Sequence, residues 1–241
     1  TKLFFDQGFN VIDGSINTTI TMSVKDASSD DNFDGVADQT VTATTTDDDT
    51  ASFTLGAISG TVAETGTTAT FTVVLGAQPD SDVVISVTSG DTGEATVSAA
   101  ELTFTNGNWD TPQTVTVTGV DDALADGSQS TTITMSVKDA SSDDNFDALA
   151  DQTVTATTTD NDTAAFTLGA ISGTVAETGT TATFTVVLDV QPVGNVVIDV
   201  TSGDTGEATV SAASLTFTTG NWDTPQLSLI HISEPTRHDQ I

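Results

Sequence analysis

Three observations predict an all-β fold of tandem antiparallel sandwiches. Long stretches recur at a fixed offset. "FTLGAISGTVAETGTTATFTVVL" begins at Phe53 and again at Phe166, "TTITMSVKDASSDDNFD" begins at Thr18 and Thr131, and Trp109 returns as Trp222, each 113 residues on. Within each copy, aliphatic residues alternate with threonines in short runs bounded by Gly, Asp and Ser, which is the period of a half-buried strand. No window shows a helical pattern of comparable length.

Residues 11–113 and 124–226 are identical at 87 of 103 positions with no gap, so the two copies encode the same backbone. A unit of this length is domain-sized. The chain therefore divides into one complete sandwich and two partial ones. Residues 1–50 are the C-terminal half of a preceding repeat, 51–163 a complete repeat, and 164–226 the N-terminal half of the next. Residues 1–10 share only Thr1 with 114–123, which leaves true divergence and assembly error both open. After "NWDTPQ" the second copy turns to "LSLIHISEPTR" where the first continues "TVTVTGVDD". Residues 227–237 resemble the translation of a sequencing-library adapter, so 227–241 is expected to be a non-native tail.

The strands follow in order. Ala69, Phe71, Val73 and Leu75 share one face, as do Val83, Ile85 and Val87, then Leu102 and Phe104. Val115 and Val117 alternate with Thr114, Thr116 and Thr118. Ile133, Met135 and Val137 alternate with Thr132, Thr134 and Ser136, and Val154 and Ala156 sit among Thr153, Thr155 and Thr157. Each run places aliphatics inward and threonine outward. About seven such strands per repeat indicate a sandwich. Pro112 stands at a strand start, where a missing N–H is tolerated. Trp109 and Trp222, in "GNWD", read as caps on the core or as platforms for a sugar, and a lone ring without aromatic neighbours favours the cap.

The formal charge is −31, from 35 acids against four Lys and Arg. Lys2 and Arg237 lie outside the regular repeat, and so do both histidines, His231 and His238. Such a chain lacks the cations that nucleic acid or an anionic membrane requires, and its natural small partners are cations. The absence of cysteine excludes disulfides, and no stretch approaches the ~20 apolar residues of a membrane span. A repeat without His or Cys also lacks the usual bases, nucleophiles and transition-metal ligands, so no enzymatic activity is expected.

The acids cluster between strands: Glu64, then Asp91 and Glu94 in "SGDTGEAT", Asp121, Asp122 and Asp126 in "GVDDALADG", and Asp160 and Asp162 in "TDNDTA". Alternate loops of an antiparallel sandwich share a pole, so these groups converge there. Crowded carboxylates repel or take up protons, and a hard divalent cation relieves the conflict. Ca2+ accepts 6–8 oxygen ligands from flexible carboxylates and carbonyls. The competing reading is a solvated, salt-tolerant acidic surface.

These motifs resemble the Calx-beta domain, an Ig-like β-sandwich of sodium–calcium exchangers and of bacterial surface proteins. "TVAETGTTATFTVVL" matches its early motif, with Glu64 and Glu177; "VTGVDDALADG" its acidic pair, with Asp121, Asp122 and Asp126; and "TDDDTASF" and "TDNDTAAF" its terminal acidic run, with Asp47, Asp48, Asp49, Asp160 and Asp162. The resemblance implies that these positions supply calcium ligands. It departs at "GDTGEATVS", which puts Asp91 in question as a ligand, and at Asn161, which replaces the acid found at Asp48.

A second candidate is "DDNFDGVAD", in which Asp30, Asn32, Asp34 and Asp38 fit the first half of an EF-hand loop around Gly35. The later copy keeps Asp143, Asn145, Asp147 and Asp151 but has Ala148 for the glycine, and the closing glutamate is replaced by Val41 or Val154. An ordinary acidic loop is the alternative.

The function expected from the sequence is a calcium-stabilised structural spacer in an extracellular or cell-surface, adhesin-like array. Its partners would be neighbouring repeats of the same chain and calcium, with any external adhesion partner bound elsewhere. A calcium-sensing or ligand-binding module attached to another domain is the alternative.

Overall fold

A computed structural model of the protein describes residues 10–232. The fold is all-β, with no α-helix among the described residues and only short 3-10 turns at Asp26–Ser28, Asp31–Phe33 and Asp139–Ser141. None of these helices is long and apolar enough to cross a membrane. Residues 1–9 and 233–241, the latter including the end of the adapter-like segment, lie outside the described residues.

The chain opens with a hairpin of β1 (Ile16–Met22) and β2 (Gln39–Thr45). The complete repeat contributes β3 (Phe53–Leu55), β4 (Val62–Ala63), β5 (Thr68–Leu75), β6 (Val83–Ser89), β7 (Ala95–Val97), β8 (Glu101–Phe104), β9 (Gln113–Gly119), β10 (Gln129–Val137) and β11 (Gln152–Thr159). The next repeat adds β12 (Phe166–Leu168), β13 (Ala182–Leu188), β14 (Val196–Asp199), β15 (Thr209–Val210), β16 (Ser214–Phe217) and β17 (Gln226–His231).

In the complete repeat, a four-stranded sheet ordered β3-β5-β9-β7 faces a five-stranded sheet ordered β4-β11-β10-β6-β8. The pairing is antiparallel except for β4 beside β11. The alternation expected from the sequence fills the space between them: Phe71, Val73, Val83, Ile85, Phe104, Val115, Val117, Ile133, Met135 and Ala156 are all buried in one core. Trp109 is half-buried and packs against that core, and its backbone carbonyl accepts the Leu75 N–H at 3.1 Å.

Residues 164–232 reproduce part of this plan. Sheet β12-β13-β17-β15 corresponds to β3-β5-β9-β7, whereas among the described residues β14 pairs with β16 alone, without the neighbour that β10 gives β6. The adapter-like residues enter this sheet: β17 occupies the place of β9. Their polarity is out of phase. Ser228 lies fully buried where Val115 is buried in the complete repeat, and its hydroxyl has no partner. Leu227 is 57 % exposed where the complete repeat has Thr114.

The junctions between repeats also recur. Val11 forms a parallel bridge to Gln78, and Leu124 one to Gln191, which are equivalent pairs in successive repeats. The Ile12 N–H donates to Gln78 O at 3.1 Å and the Ala125 N–H to Gln191 O at 3.2 Å. Ile12 is buried in the core of the complete repeat, so the late loop of one repeat completes the core of the next.

Candidate metal centre

The antiparallel register decides which loops meet. Thr68 at the start of β5 pairs with Thr118 near the end of β9, and Thr158 near the end of β11 pairs with Val62 in β4. Glu64, the loop after β9 and the segment after β11 therefore share one pole. The loop after β6, which carries Asp91 and Glu94, joins them, because Ala95 pairs with Gly119. The 139–151 loop, after β10, lies at the opposite pole with residues 80–82.

Glu64 follows the two-residue strand β4, and its N–H donates to Thr159 O at 3.1 Å. Close approach of β4 to β9 needs Gly119, because a Cβ there would strike the Ala63 carbonyl. Glu64 is only 2 % exposed. One of its carboxylate oxygens accepts the Asn161 N–H at 3.1 Å, which ties it to the linker after β11. Asp160 is oriented by two backbone donors, Gly127 N–H at 2.7 Å and Asp162 N–H at 2.6 Å. Gly127 has φ +77°, a left-handed turn that side chains resist. Carboxylate oxygens of Glu64, Asp160 and Asp162 all lie within 4.8 Å of one another.

The electrostatics are those of a crowded anionic pole. Burial raises the Glu64 carboxyl above its ordinary value, the Asn161 N–H opposes this, and Asp160, Asp122 and Asp162 push it further up. Asp162 is raised by burial and then by Asp160, Asp121 and Asp122. Asp160 is instead lowered, by its hydrogen bonds from Gly127 and Asp162. Nothing cationic offsets the charge: the one ion pair among the described residues joins Lys138 to Glu101 at 2.6 Å, on the exposed surface.

Glu94 belongs to this pole more deeply than the sequence suggests. From "SGDTGEAT" the residue singled out as a ligand is Asp91, but the Asp91 carboxylate is exposed and caps the Gly93 N–H at 2.9 Å. Glu94 is half-buried, and its carboxyl is raised by burial and then by Asp126, Asp122, Asp91 and Glu64. The signal was its position three residues after Asp91, beside the inward-facing Ala95. Buried oxygens of Glu94, Asp126 and Asp162 have no hydrogen-bond partner. Carboxylate oxygens shielded from water and without donors suit a hard cation.

The remaining candidates are placed as follows. Asp121 accepts the Asn161 side-chain amide at 2.9 Å, and Asp122 accepts the Leu124 N–H at 2.7 Å. Asp47 repeats the role of Asp160, accepting N–H groups of Gly14 and Asp49, with Asp48 and Asp49 beside it. No described glutamate stands by that run as Glu64 stands by Asp160. Glu177 is exposed in the last repeat, without a described late acidic run to face it.

The EF-hand-like loops have a different geometry. Asp30 accepts the backbone and side-chain N–H groups of Asn32, an Asx turn, while Asp34 and Asp38 are exposed. Gly35 is not among the glycines with positive φ, so it does not make the sharp turn that the sixth EF-hand position supplies. In the complete repeat Asp143 is buried and accepts N–H groups of Asp80, Ser81 and Asn145 at 2.8, 3.2 and 2.9 Å. Burial pushes its carboxyl up, but the donors from Asn145, Ser81 and Asp80 together hold it below the ordinary value. Phe146 is fully buried in the core. The loop is thus a clasp, with Asp143 capping one turn and Phe146 anchored beneath. Asp147 keeps one partnerless buried oxygen, and Asp151 is exposed.

No family model matches this chain, and no curated protein does. Among solved structures, domains 1–6 of the surface layer protein SbsC align at 18 % identity over 78 % of this chain and 24 % of that chain, with a TM-score of 0.33. A chaperone–tip adhesin complex of CFA/I fimbriae biogenesis aligns at 10 % identity over 77 % and 87 %, with a TM-score of 0.33. CBD12 from CALX1.2 aligns at 16 % identity over 73 % and 72 %, with a TM-score of 0.26. Likenesses of this degree carry no functional argument, so function rests on the pole itself.

Proposed function

We propose that the repeat is a calcium-stabilised structural spacer of an extracellular or cell-surface, adhesin-like array, without catalytic activity. The observation that carries this reading is the pole where carboxylate oxygens of Asp160, Asp162 and buried Glu64 lie within 4.8 Å of one another, with partnerless buried oxygens on Asp162 and on Glu94 and Asp126 of the same pole. Glu64, Asp122, Asp126, Asp160, Asp162 and Glu94 are the residues that would hold the ion. A bound Ca2+ supplies positive charge where the chain has none and takes no part in bond-making chemistry.

The pole is also joined to the repeat junction. The loop that carries Asp121, Asp122 and Asp126 carries Ala123 and Ala125, which bond to Gln191 of the next repeat. Holding that loop holds the joint, so a cation bound by the folded, aligned form stabilises both. Millimolar calcium outside cells suits modules whose sites bind at about 10⁻⁴–10⁻³ M.

The test is a thermal melt of the full chain in EDTA, in calcium and in magnesium. Calcium at ~100 times its dissociation constant stabilises the folded state by about 2.7 kcal/mol, which is about 10 °C for a domain of this size. That rise with calcium, a smaller one with magnesium, and its loss on Asp122→Ala are expected. An equal rise with any salt would mean that the acids form only a solvated surface.

A further inference from the structure

Residues 11–113 and 124–226 differ at sixteen positions, and the differences gather where repeats meet. Five fall within residues 76–82, in which Gln78 and Pro79 alone are unchanged. Two more, Val11 and Ile12 against Leu124 and Ala125, belong to the loops that dock on that turn. Another two, Ser52 against Ala165 and Asn106 against Thr219, touch the turn through their carbonyls. Ser52 O accepts the Gly76 N–H at 2.8 Å, and Asn106 O accepts the Gln78 side-chain amide at 2.7 Å. The constant element is the main-chain bridge. The Gln78 N–H donates to Asn10 O at 2.5 Å, and the Gln191 N–H to Ala123 O at 2.9 Å. The Gln191 side chain braces its own turn as Gln78 does, donating to Thr219 O at 3.2 Å.

The changes compensate one another. Side chains alternate along an extended segment, so the bridge of Val11 to Gln78 turns Ile12 and Ala77 toward the same side. Both are buried in the core of the complete repeat. At the next joint the large residue changes sides: Ala125 stands for Ile12, and Val190 for Ala77. The summed side chains differ by a single methylene, an exchange that packed interiors tolerate. A second pair behaves alike. A Cβ at Gly76 would strike the Ser52 hydroxyl. Its counterpart Asp189 carries a Cβ, and Ala165 there has no hydroxyl.

We propose that the joints are keyed: the late loop of each repeat fits the acceptor turn of the repeat that follows it and misfits the other acceptor turn. Main-chain bonds are blind to side chains and would let any repeat dock on any other. Ile12 against Val190 overfills the joint, and Ala125 against Ala77 leaves a cavity, so a wrong neighbour loses packing. Discrimination of this kind comes from misfit as much as from fit. Nearly identical units in one chain are prone to misassembly, and the key makes docking follow chain order. The key rests on packing and does not involve the acidic pole.

The test is a two-residue exchange in the full chain, with Trp222→Phe so that Trp109 fluorescence reports the complete repeat. Ala77→Val should lower its melting temperature by about 4–12 °C through overpacking. Ile12→Ala should lower it by about 8–20 °C through the cavity. The double variant installs the pair of the next joint and should recover most of both losses, a departure from additivity expected only of coupled residues. Amide exchange reads the joint directly. In each single variant the Gln78 N–H should lose far more protection than the Glu64 N–H, which bonds to Thr159 O at the other pole, and the double variant should regain it. If a single variant fails to fold, a folded double variant supports the key. Losses that add in the double variant, a double variant that does not fold, or Ala77→Val without effect would each overturn the proposal. None of these outcomes bears on calcium binding.

Discussion

Phe146→Ala separates the clasp from a calcium loop. Phe146 is fully buried in the core of the complete repeat. Full burial of a phenylalanine contributes about 1.5–3 kcal/mol, and the cavity left by truncation brings the loss to about 3–5 kcal/mol. At about 4 °C per kcal/mol for a domain of this size, the melting temperature of residues 51–163 should fall by about 12–20 °C, equally in EDTA and in calcium. The identical residue Phe33 is 57 % exposed and serves as the internal control, since Phe33→Ala should leave this transition in place. Asp143→Ala should also destabilise, because the N–H groups of Asp80, Ser81 and Asn145 lose their acceptor, a loss of about 1–3 kcal/mol. Circular-dichroism melts alongside calcium titration by calorimetry provide the assay. A small loss for Phe146→Ala, or a drop in calcium stoichiometry on Asp143→Ala, would refute the clasp and restore the loop as a metal site.

Glu64→Gln should raise the melting temperature in EDTA, by removing a buried charge among like charges, and lower the response to calcium; a lower temperature in EDTA would contradict the crowding argument. The apo protein should gain stability as pH falls from neutral toward the ordinary glutamate value of 4.5, measured by melts at stepped pH. The raised carboxyls of Glu64 and Glu94 take up protons in the folded state first, so stability increases as pH falls through their folded values. Below 3.8 the trend reverses, because the lowered Asp143 and Asp160 lose their contribution as they protonate. Ser228→Val should stabilise residues 164–232 by about 1–3 kcal/mol, because it removes a buried hydroxyl that lacks a partner. Trp222 fluorescence in a Trp109→Phe background follows that transition.

The sequence by itself determined the strands, the faces they bury and the pole at which the acids meet. Alternation of period two dictates which side chains point inward, and Phe71, Ile85, Val115 and Met135 do so. Loop order in an antiparallel sandwich dictates which loops are neighbours, so Glu64, Asp122 and Asp160 share a pole. The tertiary structure decided how each acid is used. Asp91 and Glu94 stand three residues apart, yet one caps a turn and the other is half-buried among carboxylates. Asp143 fits a ligand spacing, but backbone donors from residues 80 and 81, remote in the chain, claim its oxygens. Phe33 and Phe146 are the same letter in nearly the same words, one exposed and the other fully buried. Local sequence sets the direction of a side chain. Whether that direction meets water, a donor or a core depends on strands paired from elsewhere in the chain, and no local pattern records them.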